Sequence, residues 1–293
     1  MSELERIRIE GYNQELIHHR NILFPGFTND LLKIKTMKLR PDDTFIIGYP
    51  KSGTTWTEEI VWLVENNLDY DKSLKTSHFE RVLFLDKEPI IKIDQLPAPR
   101  VLKSHLPLEY LPDDIAKFCK VIYIMRNPKD VLVSYFSFVK WLKDLEFSGT
   151  LEDIVEHFSK NKILYGDWCD HVNKYFSNPD VLFICYEDLL EKQMETVKKI
   201  VEFLGKKKTD EEIEKLIEFT SFHKMKTNKS FGMIPKDWNE FIDKFDFKLF
   251  FRKGQIGNWV SHFTEKMSDF VDEIVKQKIN PKIKVRYLPL KES

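Results

Sequence analysis

Gly48-Tyr-Pro-Lys51-Ser52-Gly53-Thr54-Thr55 gathers two glycines, a lysine and three Ser or Thr side chains into one short stretch. That mixture suits an anion, because glycines let backbone N–H groups approach a phosphate closely and a lysine adds charge. The spacing fits G-x-x-x-x-G-K-[ST] except at the lysine position, which is Thr54, while Lys51 lies inside the loop. Lys51 would therefore reach the anion from another side, with Thr54 as a hydroxyl donor. Further along, Lys103, Arg126 and Arg252-Lys253 add cations, and His105 adds an imidazole. An arginine fork grips phosphate through paired N–H groups. An imidazole that titrates near neutrality suits proton removal from an attacking hydroxyl.

These residues need elements to carry them. Thr44–Tyr49, Arg100–Lys103, Val121–Met125 and Val181–Tyr186 are short apolar runs that read as buried strands. Helical spacing follows the first run over Thr54–Asn66, and Pro128 opens a second helix that continues to Leu142. Charged helices are expected near Glu191–Leu204 and Asp210–Phe219, with Gly205 as the cap between them, and a last one near Lys266–Lys278. Strands alternating with helices predict an α/β fold on a mainly parallel sheet flanked by helices, as a single domain over residues 1–293. Ligands of such sheets bind at the carboxyl ends of the strands. The loops after Tyr49, Lys103, Met125 and Tyr186 are therefore the expected site.

Composition narrows the partners. The chain has 293 residues, with 46 Lys+Arg against 47 Asp+Glu and a net charge of −1, so a polybasic nucleic-acid or membrane binder is not expected. Only ten residues are glycine, which excludes collagen-like and Gly-rich chains, and four of the ten (Gly48, Gly53, Gly254, Gly257) fall in two cationic segments. Cys119, Cys169 and Cys185 are too few and too scattered for a disulfide framework or a zinc site. The six-residue run Val181–Tyr186 is far short of the ~20 apolar residues a membrane span needs, and the N-terminus lacks a signal-peptide core. A cytoplasmic protein is the expectation.

Tyr49-Pro-Lys-Ser-Gly-Thr-Thr-Trp56 resembles the 5′-phosphosulfate loop of the cytosolic sulfotransferases. Other landmarks of that family follow in order between about Arg40 and Trp259. Arg126-Asn-Pro-Lys-Asp130 with Ser134-Tyr135 is similar to its 3′-phosphate element, and Phe250-Phe-Arg252-Lys253-Gly254-Gln-Ile-Gly257-Asn-Trp259 to its RKGxxGDW element, with Asn258 in place of Asp. Lys103-Ser-His105-Leu-Pro107 matches the segment bearing the family's catalytic histidine, and Thr220-Ser221-Phe222 through Met225 a stretch lining its adenine site.

The resemblance implies a P-loop-kinase-like sulfotransferase fold. It also implies sulfuryl transfer from 3′-phosphoadenosine 5′-phosphosulfate (PAPS) to a hydroxyl or amine, leaving adenosine 3′,5′-bisphosphate (PAP), with no metal required. Lys51 and the loop from Ser52 to Thr55 would bind the phosphosulfate, and Lys51 would stabilise charge on the leaving phosphate. Arg126, Ser134, Arg252, Lys253 and Gly254 would grip the 3′-phosphate. Trp56 would stack on adenine or serve as a core aromatic, and Tyr186 would bond adenine or pack in the core. Phe250 and Phe251 flank the donor segment. His105 is the expected base, Lys103 would stabilise the sulfuryl oxygens, and Phe84 and Phe138 match positions lining an apolar acceptor pocket for a small molecule.

Two segments depart from the family. Where the family carries K-x-x-x-T-V-x-x-x-E, linked to homodimers, only Thr264 is kept, so monomer and homodimer both stay open. The family's R-x-P-x-x-E is Arg81-Val-Leu-Phe84-Leu-Asp86 here. Two other classes compete with the transferase. A metal-dependent nucleotide kinase or NTPase would want Mg²⁺ held by a strand-end carboxylate. Thr54 at the lysine position speaks against it, while Glu187 and Asp188 keep a metal open. A protein that senses PAPS without transfer would leave His105 and Lys103 without a task.

Overall fold

The computed structural model describes residues 3–142, 145–238 and 250–290. Its centre is a five-stranded sheet of β4 (Thr44–Ile47), β5 (Leu83–Phe84), β6 (Val101–Ser104), β7 (Lys120–Met125) and β8 (Val181–Cys185) in the order β5-β6-β4-β7-β8. Every pairing in this sheet is parallel. Side chains of alternate residues leave the strands on opposite faces. Phe45, Ile47, Leu102 and Tyr123 accordingly enter one core, and Ile46, Val101, Ile122 and Ile124 the other. Strands buried on both faces read as unbroken apolar runs, which is why they were visible in the sequence.

β4 lies in the middle, with β6 and β5 on one side and β7 and β8 on the other, so chain direction diverges at its carboxyl end. That divergence opens the crevice where α/β sheets hold ligands. The loop after β4 feeds the helix Thr54–Glu65, and the loop after β7 feeds the helix Pro128–Trp141, started by Asn127, whose side chain accepts the Asp130 N–H at 2.9 Å. The charged helices lie at Gln193–Phe203 and Asp210–Phe219, and the last at Glu265–Lys278. Gly205 ends the first of these at φ 70°. Thr264, kept from the dimer motif, accepts the Met267 N–H at 3.3 Å as the cap of the last helix.

Several elements have no counterpart in the sequence reading. An antiparallel sheet, β1 (Glu5–Ile7), β2 (Leu16–His19) and β3 (Ile22–Phe24), precedes the main one. β5 was not expected either, nor were the helices Leu151–Ser159 and Trp168–Phe176. Both helices have acidic N-terminal caps or capping boxes and a well-defined apolar side. β5 is only two residues long, too short for a periodicity to register.

Candidate active site

The loop Gly48–Thr55 is shaped by its backbone. Gly53 sits at φ 101°, and a Cβ there would come within 2.6 Å of the Tyr186 ring. Lys51 itself holds φ 70°, a left-handed conformation that costs a non-glycine residue energy and recurs at functional sites. The Ser52 N–H closes the turn onto the Tyr49 carbonyl at 3.1 Å, while the Tyr49 hydroxyl donates to the Gly166 carbonyl at 2.8 Å. The N–H groups of Thr54 and Thr55 open the helix and have no acceptor within it. They face a cavity of about 300 Å³.

Twenty of the expected site residues line this one cavity. Its loop, cationic and small polar residues are Lys51, Gly53, Thr54, Thr55, Arg126, Ser134, Arg252, Lys253 and Gly254. Trp56, Tyr186, Ser221, Phe222, Met225, Phe250 and Phe251 form aromatic and apolar walls beside them. Phe84, Lys103, His105 and Phe138 line it as well, with Phe138 directly beneath the Lys51 ammonium. Ser52 and Thr220 do not line it. The Ser52 side chain is fully buried, and its amide is spent in the turn. Thr220 is fully buried too, and its hydroxyl donates to the Leu216 carbonyl at 2.8 Å, finishing a helix. Thr54 reaches the cavity, yet its hydroxyl faces the Glu58 carboxylate one turn on.

Aromatic rings hold the cations in place. The Lys51 ammonium lies 4.6 Å over Phe138 and 4.8 Å over Phe250. Burial, together with Lys103, Arg126 and Arg252 nearby, lowers its pKa to about 7. The Arg126 guanidinium stacks 4.3 Å over Tyr186 and donates to the Gln255 carbonyl at 3.0 Å. Trp56 meets Tyr186 edge-on at 5.9 Å and packs against the core beneath, as its core reading expected, while it also lines the cavity. Gly254, at φ 62°, lets the backbone press against Phe222, where a Cβ would come within 2.4 Å of the ring. Arg126 Nε, Arg252 Nε and Asn258 Nδ2 are buried donors with no protein partner. Converging unsatisfied N–H groups and several cations fit a polyanion.

His105 lies just past β6. Its Nδ1 is 2.6 Å from the Gly48 carbonyl, an acceptor only, so Nδ1 carries the proton and Nε2 keeps its lone pair. Burial, with the Lys103 charge alongside, pushes the imidazole well below its usual range, so it is neutral at physiological pH. Lys103 was expected to point the same way along the strand. The strand ends at Ser104, but the two side chains still converge on Phe84: the Lys103 ammonium lies 4.4 Å over its ring, and the His105 ring meets it edge-on at 5.5 Å.

Several participants were missed. Asp130 accepts the N–H groups of Gly257 at 2.8 Å and Trp259 at 2.9 Å, docking the Arg252–Gly254 segment against the helix after β7. Asp86 accepts from Ser104 Oγ at 2.6 Å and the His105 N–H at 3.0 Å. Burial raises its carboxyl to about 6. Glu58, on the loop's own helix, lines the cavity beside His78, and spacing of four from Thr54 was the available signal. Phe27, Trp141, Tyr165 and Trp238 add further aromatic rings to the lining from four separate segments. Glu187, a metal candidate by position, instead accepts the Asn127 N–H at 2.9 Å. Among the described residues, no group of three or more His, Cys, Asp or Glu side chains is placed to hold a metal ion, and no helix is long and apolar enough to cross a membrane.

Comparison with known proteins fits this geometry. Residues 41–282 match the sulfotransferase domain family. Sulfotransferase 1E1 of Bos taurus is 36% identical over 270 residues, 88% of this chain and 90% of that protein. Retinol dehydratase, solved with androsterone and PAP, superposes with a TM-score of 0.80 at 28% identity over 98% of this chain and 92% of that one. Mouse sulfotransferase SULT7A1, solved with PAP, gives 0.75 at 30% identity over 91% and 95%. The parallel sheet, the loop after β4 and the matched sequence together place this chain in the sulfotransferase family, as an enzyme of sulfuryl transfer.

Proposed function

We propose that the enzyme moves a sulfuryl group from PAPS to a hydroxyl, or an amine, of a small apolar or aromatic acceptor. The observation that carries this reading is one cavity that brings two unlike kinds of lining together. Cations and unpartnered N–H groups that would suit the donor line it together with aromatic rings and an imidazole with a free Nε2. PAPS would supply an activated sulfuryl group and a phosphate leaving group. Arg126, Arg252 and Lys253 would hold the 3′-phosphate, and Lys51 with the amides of Thr54 and Thr55 the 5′ end.

In this reading His105 Nε2 takes the acceptor's proton as its oxygen attacks sulfur in line. A base of low pKa needs close positioning, and the Gly48 carbonyl fixes the tautomer and the ring. Charge grows on the leaving phosphate oxygen, and Lys51 is positioned to stabilise it. The lowered pKa of Lys51 belongs to a site crowded with cations; an anion brought among them favours the ammonium. No covalent enzyme intermediate is required. The apolar walls support a small organic acceptor over a polysaccharide or protein. Cytoplasmic placement and action as one domain belong to the same proposal. The test is incubation of the pure protein with PAPS and a panel of phenols, steroids, alcohols and amines. Formation of PAP with a sulfated product supports the reading, and tight PAP binding with no transfer across the panel overturns it.

A further inference from the structure

A site that gathers cations for an anionic donor also contains a carboxylate. Glu58 lines the cavity with its side chain only 3% exposed. Its Oε2 is 2.8 Å from His78 Nε2, which anchors one side of the group. Its Oε1 lies 3.9 Å from the Lys103 ammonium, and the Thr54 hydroxyl faces the same carboxylate. His78 is fixed in turn, since its Nδ1 is 3.2 Å from Glu59, and Glu59 also accepts from Arg81 at 2.8 Å. The carboxylate thus stands on a rigid, buried base. Lys103 is the movable partner: it is part-exposed, borne on a flexible stem, and the contact is longer than a hydrogen bond.

We propose that Glu58 is a positioning residue that holds Lys103 in reserve, drawing its ammonium away from the centre of the cavity. This rests on the PAPS reading above. Lys103 would engage the sulfuryl oxygens only by giving up its Glu58 contact, so Glu58 weakens the hold on the intact donor and keeps the site from clamping it. The strand pattern explains the arrangement. Val101 and Lys103 leave β6 on the same face, the face covered by the helix Thr54–Glu65, so the ammonium is delivered to Glu58 by the sheet itself.

The test is equilibrium titration of the full chain with PAPS in the absence of acceptor, and separately with PAP, which lacks the sulfuryl group. Glu58→Gln keeps the shape and removes the charge. It is expected to tighten PAPS binding by roughly fivefold or more, as one opposing charge leaves a partly screened site, with a smaller gain for PAP. Lys103→Met in the same background should erase the difference between the two nucleotides. A merely structural role for Glu58 would weaken both ligands together. Should Glu58→Gln fail to fold, Glu58→Asp withdraws the carboxylate while keeping its charge and should give a smaller gain of the same sign. PAPS binding in either variant equal to or weaker than wild type overturns the proposal. A wild-type protein that binds neither nucleotide overturns the PAPS reading instead.

Discussion

Asp130 carries a prediction that reaches from one side chain to donor binding. It is fully buried, and it accepts from the Gly257 N–H at 2.8 Å, the Trp259 N–H at 2.9 Å and Asn127 Nδ2 at 3.0 Å. The first two bonds fasten the segment that bears Arg252, Lys253 and Gly254. Asp130→Asn preserves size but turns an amide NH₂ toward one of those donors. One charge-assisted bond is lost and one buried N–H is left unpaired, about 2–4 kcal/mol in all. Urea unfolding should show that loss with an unchanged m-value. PAP titration should show affinity down by about tenfold or more, because the segment must be docked before it can bind. A stability change under about 0.5 kcal/mol with unchanged PAP affinity would refute the reasoning. So would tighter PAP binding, which would mean that Asp130 acts only as a charge 3.8 Å from Arg126.

Two further predictions concern the loop. Lys51 has a pKa of about 7 in the free site, and donor capture needs its ammonium form, so kcat/KM for PAPS should be level below that pH and fall above it. His105 titrates well below its usual range and should add no acid limb near neutrality. Lys51→Arg should abolish the fall, and a wild-type profile level to about pH 9 would remove Lys51 from donor capture. Gly53→Ala introduces a Cβ at φ 101° and within 2.6 Å of the Tyr186 ring, on which Arg126 stacks. Thermal stability should drop by about 1–3 kcal/mol with weaker PAP binding, and wild-type values in both would contradict the role assigned to that turn.

Much of the site was legible because it is local in sequence. The loop Gly48–Thr55, the strand ends at Lys103 and Met125 and the Arg252–Gly254 segment each carry their chemistry within a few residues. Strands of the central sheet were legible for a related reason, being apolar on both faces. What escaped depends on approach between distant segments. Asp130 was read within the 3′-phosphate motif, but its bonds to Gly257 and Trp259, more than 120 residues on, leave no local signal. Glu58 drew no reading, since a carboxylate on a helix is ordinarily solvated, yet this helix is buried nearly all round. Thr220 erred the other way, since a helix-ending hydroxyl prefers the carbonyl four residues back to a ligand. The further aromatic lining residues Phe27, Trp141, Tyr165 and Trp238 come from four segments with no common motif.

The central claim is that one cavity performs sulfuryl transfer with His105 Nε2 as base. Single-turnover kinetics with pre-bound PAPS and an accepted acceptor, comparing wild type with His105→Ala, test it most directly. The account predicts a fall of about 10²–10⁴-fold in the rate of sulfated product, with PAP affinity retained. A His105→Ala protein that transfers at the wild-type rate would contradict it.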